Sequence, residues 1–323
     1  MIAIGAFLVL LAIALGTMQT GLPSSSERVN PNPGTETLAP LWGVTNWPLI
    51  LSLGFPVVAI AIVVALVRMS ARIGKPHAVL IVFTAVIAMG ALDPIGNWVT
   101  FTVFNPQLPH FPLTWPWMRL APTVEPVLAL FGGYPTLFLG CALVTFWAYG
   151  RFVKPRVRAG SWPARHPLTA MFLFVFICDV PIDTGLQLFM MRVGMFMYTQ
   201  GVGPNIEWIN GVTFPIVWGF YDWFLIACIA VLLVRDDRGE SMVLSKLART
   251  IGDRSGSATV WRQAAVGAVL MIVITAVPLA FYTVLRVGGL THPVFQNFPY
   301  PEAGMYDPYG VLDKAGKPGP FYK

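Results

Sequence analysis

The sequence predicts an all-α, polytopic transmembrane helical bundle of about seven spans, with its N-terminus cytoplasmic and a Pro/Trp-rich cap on the outer side. Three observations predict it. The 323 residues are 56% hydrophobic and only 11% charged, against about 25% charge in soluble domains. Apolar runs of roughly 17 to 27 residues recur, each long enough to cross a hydrocarbon core about 30 Å thick. The basic residues gather in every second loop. The runs are too long and too uniform for barrel strands, so helices that satisfy their own backbone are expected.

Taken in order, the spans fall at about 2–18, 47–67, 78–101, 124–149, 167–191, 208–234 and 264–285. The first lacks a basic leader region, and "GTMQTG" is a poor cleavage site, so it is read as a retained span. Residues 19–46 are rich in Ser, Pro, Asn and Gly and read as an irregular loop. Residues 102–123 carry five prolines and two tryptophans. They cannot form a regular helix, and they read as an interfacial or re-entrant cap with Trp115 and Trp117 at headgroup depth. Residues 1–286 thus form one transmembrane domain, and 287–323 a Pro/aromatic-rich extracytoplasmic tail.

The loops fix the orientation. Arg68, Arg72 and Lys75 follow span two; Arg151, Lys154, Arg156, Arg158 and Arg165 follow span four. Arg235, Arg238, Lys246, Arg249, Arg254 and Arg262 follow span six, in a loop of both charge signs expected to hold a short solvated helix. That is 14 of the 21 basic residues on one side, which the positive-inside rule makes cytoplasmic. This distribution argues against nucleic acid as the target of the net charge of +6. A multi-pass protein of the cell membrane is expected, its partners the bilayer and a lipophilic small molecule. Cys141, Cys178 and Cys228 lie inside apolar runs and read as small buried hydrophobes.

Ionisable groups inside spans are costly and are functional candidates. Asp179 lies about 18 Å into span five at 1.5 Å per residue. Asp183 follows at i+4 on the same face, and Pro181 between them removes a backbone hydrogen bond to Ile177. Asp222 is deep in span six and Glu207 at its outer mouth; Glu125 opens span four. In "DPIGNWVTF", Pro94 and Gly96 are expected to bend span three and turn Asp93 and Asn97 inward, with Trp98 under the cap and the same helix continuing beyond. Arg192 and Arg119 are the nearest candidate partners for these six acids. A carboxyl left unpaired in dry surroundings keeps its proton more readily than one beside an arginine, and such a split gives one site both an acid and a base.

Asp179 and Asp183 are the first candidates for catalysis, then Asp93, Glu125 and Asp222. Asn97, Trp98, His110, Trp115, Trp117, Tyr134, Glu207 and Arg192 are candidates for substrate contact, with His110 the weaker because loop histidines are commonly solvated. The four histidines form no HxxH or HxxxH cluster, and there is no GxSxG and no phosphate loop. No metal and no cofactor is expected.

The run "DPIGNW", then "NP", "HFP", "WPW", "EP" and "GGY", resembles the AveC-like spirocyclase family of actinobacterial membrane proteins. "DVPID" and the acid in span six fit the same comparison, which covers about residues 45–235. The resemblance implies an enzyme of secondary metabolism that closes a spiroketal from a lipophilic, polyketide-like dihydroxy-ketone. It carries over no catalytic residue. A proton-coupled carrier of a lipophilic molecule and a non-catalytic membrane partner are the competing readings; the lack of an internal repeat counts against the carrier.

Overall fold

The computed structural model describes residues 2–33, 40–127, 129–208, 212–251, 256–294, 300–317 and 319–323. Parts of the outer loop (34–39) and tail (295–299 and 318), and Arg254, lie outside the described residues.

Helices dominate. Six of them are long and apolar enough to cross a membrane: Trp47–Ile73, Ala78–Val99, Phe131–Arg156, Pro167–Arg192, Ile216–Leu233 and Val260–Val287. The first helix, α1 (Ile2–Thr17), has 16 residues, fewer than the roughly 20 that a span needs. It is one of the seven spans expected, and it packs Ala14 and Leu11 against Phe111 and Phe131.

Proline and glycine set the helix ends. α2 (Trp47–Ile73) has a proline in its first turn and stops at Gly74, where a φ of 67° suits a residue without Cβ. α3 (Ala78–Met89) starts at His77, whose ring nitrogen accepts the Val79 N–H. A 3₁₀ turn over Gly90–Leu92 interrupts the span before α4 (Asp93–Val99) resumes with Pro94 in its first turn. This is the physical form of the expected bend: proline is tolerated in a first helical turn, so the chain restarts a helix there. The helix does not continue through the apolar residues beyond it. It ends at Val99, and buried Phe101 takes a φ of 56° before a strand begins.

The helix of the fourth span does not begin at 124, because residues 121–126 form loop and an isolated bridge from Pro126 to His110. It opens with a π-helical stretch, Ala129–Phe138, continues as α5 (Leu139–Ala148), and widens again over Tyr149–Val153. A short α6 (Trp162–Arg165) precedes α7 (Pro167–Arg192), which runs unbroken through Pro181. α8 (Ile216–Leu233) starts eight residues later than the 208 expected. The described residues before it, Asn205–Trp208 and Val212–Pro215, pair as the two strands of a hairpin, where alternating Val, Thr and Phe favour extended backbone. α9 (Met242–Ile251) is the short helix foreseen in the basic loop, and one face of it, Leu244, Ser245 and Ala248, is buried. α10 (Gly256–Val287) ends the bundle, and α11 (Val311–Lys314) lies in the tail.

α7 packs along α8, α10 along α3, and α2 against the π-helical stretch. The best apolar windows of the α8 span and of Ala78–Val99 are 61% and 56% buried, those of α2 and α10 only 17% and 22%. α8 and α3 are therefore central, and α2 and α10 present an apolar outer face suited to lipid.

The cap is a set of two-stranded ladders. β1 (Thr102–Phe104) pairs antiparallel with β2 (Phe196–Tyr198). β3 (Gln200–Gly201) pairs with β6 (His292–Pro293) of the tail. β4 (Asn205–Trp208) and β5 (Val212–Pro215) make the hairpin, and β7 (Met305–Tyr306) runs parallel to β8 (Phe321–Tyr322). The tail is stitched to the other outer segments: Asn30 N donates to Glu302 O at 2.9 Å and Tyr322 Oη to Pro122 O at 2.8 Å. At the opposite end, Lys75 Nζ donates to Arg238 O at 2.9 Å, and a cavity there is lined by both Lys154 and Arg235. The three basic loops thus share one end of the bundle.

Candidate functional site

Three helices bring carboxyls to one place, and a fourth element adds a tyrosine. α4 contributes Asp93 and Asn97, the π-helical stretch Tyr134, α7 Asp183 and Gln187, and α8 Tyr221 and Asp222. They line a cavity of about 130 Å³. Phe55, Phe138, Met190, Phe196 and Trp218 make its apolar walls, and among the described residues no Lys or Arg lines it.

Two motifs of the same design face this space. In the first, Asn97 Nδ2 donates to Glu125 Oε2 at 2.8 Å and lies 3.4 Å from Asp93 Oδ2. Tyr134 Oη donates to the other oxygen of Asp93. In the second, Gln187 Nε2 donates to Asp183 Oδ2 at 2.9 Å and also to Asp222 Oδ2. Tyr198 Oη donates to Gln187 Oε1 at 2.7 Å, fixing which way the amide points. Each motif therefore joins two acids through one carboxamide set four residues after the first acid. The spacing explains the geometry, since i and i+4 lie on one face of a helix.

Like charges so close repel strongly where the dielectric is low. An amide offers two N–H donors without a charge, so it can hold two carboxyl groups together whatever their protonation. Glu125, outside the spanning segments, is fully buried. Burial first, and the nearby charge of Asp93 second, hold its carboxyl well above the usual carboxylate range.

Asp179 continues the stripe of Asp183 and Gln187 along α7 but lies behind the cavity wall. It is fully buried, and among the described residues neither of its oxygens has a hydrogen-bond partner. Glu125 likewise touches the site through Asn97 rather than lining it. The other candidates fall elsewhere. Glu207 is exposed on β4, because the hairpin moves it away from a helix mouth. Arg192 is buried in the last turn of α7, outside the cavity lining. Trp115 packs on Phe111 in the cap, and exposed Trp117 donates its indole N–H to Ala91 O at 2.7 Å. His110 is not solvated: it is fully buried, with ring nitrogens 2.9 Å from Phe111 O and 2.8 Å from Gly21 O, and so ties the cap together. Trp98 turns to the end of α10, where the Arg286 guanidinium lies 4.1 Å from its ring centroid.

The residues that sequence reasoning missed are mainly neutral: Gln187, Tyr198, Tyr221 and Trp218. Gln187 had a signal, the same i+4 spacing that singles out Asn97. Tyr198 had none, since it arrives through the β1–β2 ladder.

No curated protein and no solved structure matches the chain. The family described as Spirocyclase AveC-like matches residues 71–306. The match starts after most of α2 and runs through α10 into the tail, further than the resemblance read from the motifs. It covers well over half of the chain and all of the acids that line the cavity, and the chain is a membrane protein of the AveC-like spirocyclase family.

Proposed function

We propose that this protein is a cofactor-independent enzyme of the cell membrane that cyclises a lipophilic dihydroxy-ketone with loss of water, a spiroketal-forming reaction on a polyketide-like substrate. One observation carries the reading: two amide-bridged carboxyl pairs meet at a single apolar and aromatic cavity that no cation lines.

The chemistry runs in two closures. One hydroxyl adds to the ketone and gives a hemiketal. A carboxylic acid of the Asp183–Asp222 pair then protonates the hemiketal hydroxyl; the C–O bond breaks, water leaves and an oxocarbenium ion forms. The second hydroxyl attacks this carbon, and Asp93 as carboxylate takes its proton. One proton is given and one is taken, so the net change is one water lost. The remaining carboxylates and the faces of Trp218 and Tyr221 stabilise the cation. The walls hold the chain in one folded conformer, which sets the stereochemistry.

The test uses proteoliposomes given a synthetic lipophilic dihydroxy-ketone. Wild-type protein forms one spiroketal stereoisomer, and Asp222→Asn or Asp183→Asn slows this by about 10²-fold or more, the usual contribution of general acid–base catalysis. Wild-type rates in both folded, inserted variants would rule the reading out.

A further inference from the structure

A second cavity, of about 560 Å³, opens at the basic end of the bundle and shares no lining residue with the cavity of the carboxyl pairs. Its inner wall is apolar: Tyr149 and Met171 are buried there, with Phe146 and Val234 half-buried beside them. Its rim carries Lys154 and Arg235, both exposed. We propose that this pocket holds an acidic phospholipid, its phosphate between Lys154 and Arg235 and its upper acyl chain against the apolar wall.

Charge complementarity argues for that occupant. The Lys154 ammonium has no hydrogen-bond or ion-pair partner among the described residues. Arg235 lies 3.4 Å from His77 Nε2, but His77 uses Nδ1 to accept the Val79 N–H. The proton of the neutral ring then sits on Nε2, so that contact gives Arg235 no acceptor. Of the acids that follow Arg235, Asp236 and Glu240 are engaged by Arg249 at 3.8 and 3.0 Å. Asp237 is exposed to solvent. Among the described residues, the rim thus keeps two cations with no anion paired to them.

Two further features fit a lipid rather than a soluble anion. Pro167, on the same rim, begins the 26-residue α7 with no side-chain cap, so the positive end of a long helix adds to the field. Trp147, Phe152 and Trp162 are exposed along the same end, the pattern of an aromatic belt at headgroup depth. A pocket at that depth with cations outward and apolar wall inward matches a phospholipid's own polarity.

The experiment is thermal unfolding of the detergent-purified full chain with added lipid. Phosphatidylglycerol raises the Tm of wild type by several degrees, while phosphatidylcholine and inorganic phosphate leave it unchanged. Lys154→Ala/Arg235→Ala removes at least half of that shift, and Arg68→Ala/Arg72→Ala, at the same end but outside the pocket, keeps it. An equal shift with phosphatidylcholine, an equal shift with phosphate alone, or equal loss in both double variants would each overturn the proposal. Filling the pocket with Ala164→Trp gives an independent check: it too abolishes the phosphatidylglycerol shift, and a full shift in that variant counts against the site.

Discussion

Asn97 and Gln187 each hold two carboxyls with one amide, and the consequences are sharpest at Glu125. Its folded-state pKa is raised above the ordinary 4.5 by burial and by Asp93. Below that ordinary value both folded and unfolded chains carry the proton, and stability is full. Above it the unfolded chain ionises while the folded chain stays protonated, so stability falls as pH rises toward the folded pKa. The slope is about 1.4 kcal/mol per pH unit across that window. Glu125→Gln keeps an acceptor for Asn97 and removes the titration. Its unfolding midpoint is expected to lose this fall, so the variant gains on wild type from pH 5 upward by about that slope; parallel profiles would show that Glu125 does not carry it. The six acids were legible one by one, because charge is conspicuous in an apolar run. Their grouping was legible only in part. Asp183 is followed by Gln187 at a readable spacing, whereas Tyr198 reaches the site through a strand pairing that no local pattern encodes.

At the level of elements, the cavity depends on how α2 seats on the π-helical stretch that carries Tyr134. The contact is a glycine: a Cβ on Gly132 would lie 2.4 Å from the Pro56 backbone nitrogen. Backbone cannot swing aside as a side chain can. Gly132→Ala is expected to push α2 away and cost about 1–3 kcal/mol, as overpacking does. Gly140→Ala, with nothing within 4 Å of its Cβ, leaves the melting temperature close to wild type; a similar drop in both would refute the specific clash. Span positions were readable because length and hydropathy alone decide them. Their edges were not. Asn205–Trp208 and Val212–Pro215 pair as strands and 121–126 form a loop, since tertiary pairing overrides their apolar character. The π-helical register was unreadable too, as its extra backbone width leaves no compositional mark.

Over the whole molecule, the two ends differ in kind. One is basic and loop-built; the other is a cap laced to the C-terminal tail. At the second end Arg286, 2% exposed at the end of α10, joins helix to tail: it donates to Trp98 O on α4 and to Tyr306 Oη, and lies 4.1 Å from the Phe101 ring centroid. Tyr306→Phe removes a charge-assisted hydrogen bond and is expected to cost about 1.5–3 kcal/mol in chemical unfolding; a loss below 0.5 kcal/mol, well under that range, would mean the latch is incidental. The positive-inside rule predicts that the basic end faces the cytoplasm. A membrane-impermeant thiol reagent on intact cells then labels Asn32→Cys and spares Ala159→Cys, and the reverse pattern would invert the topology. The central claim, a water-losing cyclisation at the paired carboxyls, is tested most directly by extracted metabolites of a deletion strain complemented with wild type or with Asp222→Asn. The account predicts that the deletion and the Asp222→Asn strain both accumulate a precursor heavier than the wild-type product by one water. An unchanged metabolite profile in the Asp222→Asn strain, with the variant present in the membrane at wild-type level, would contradict it.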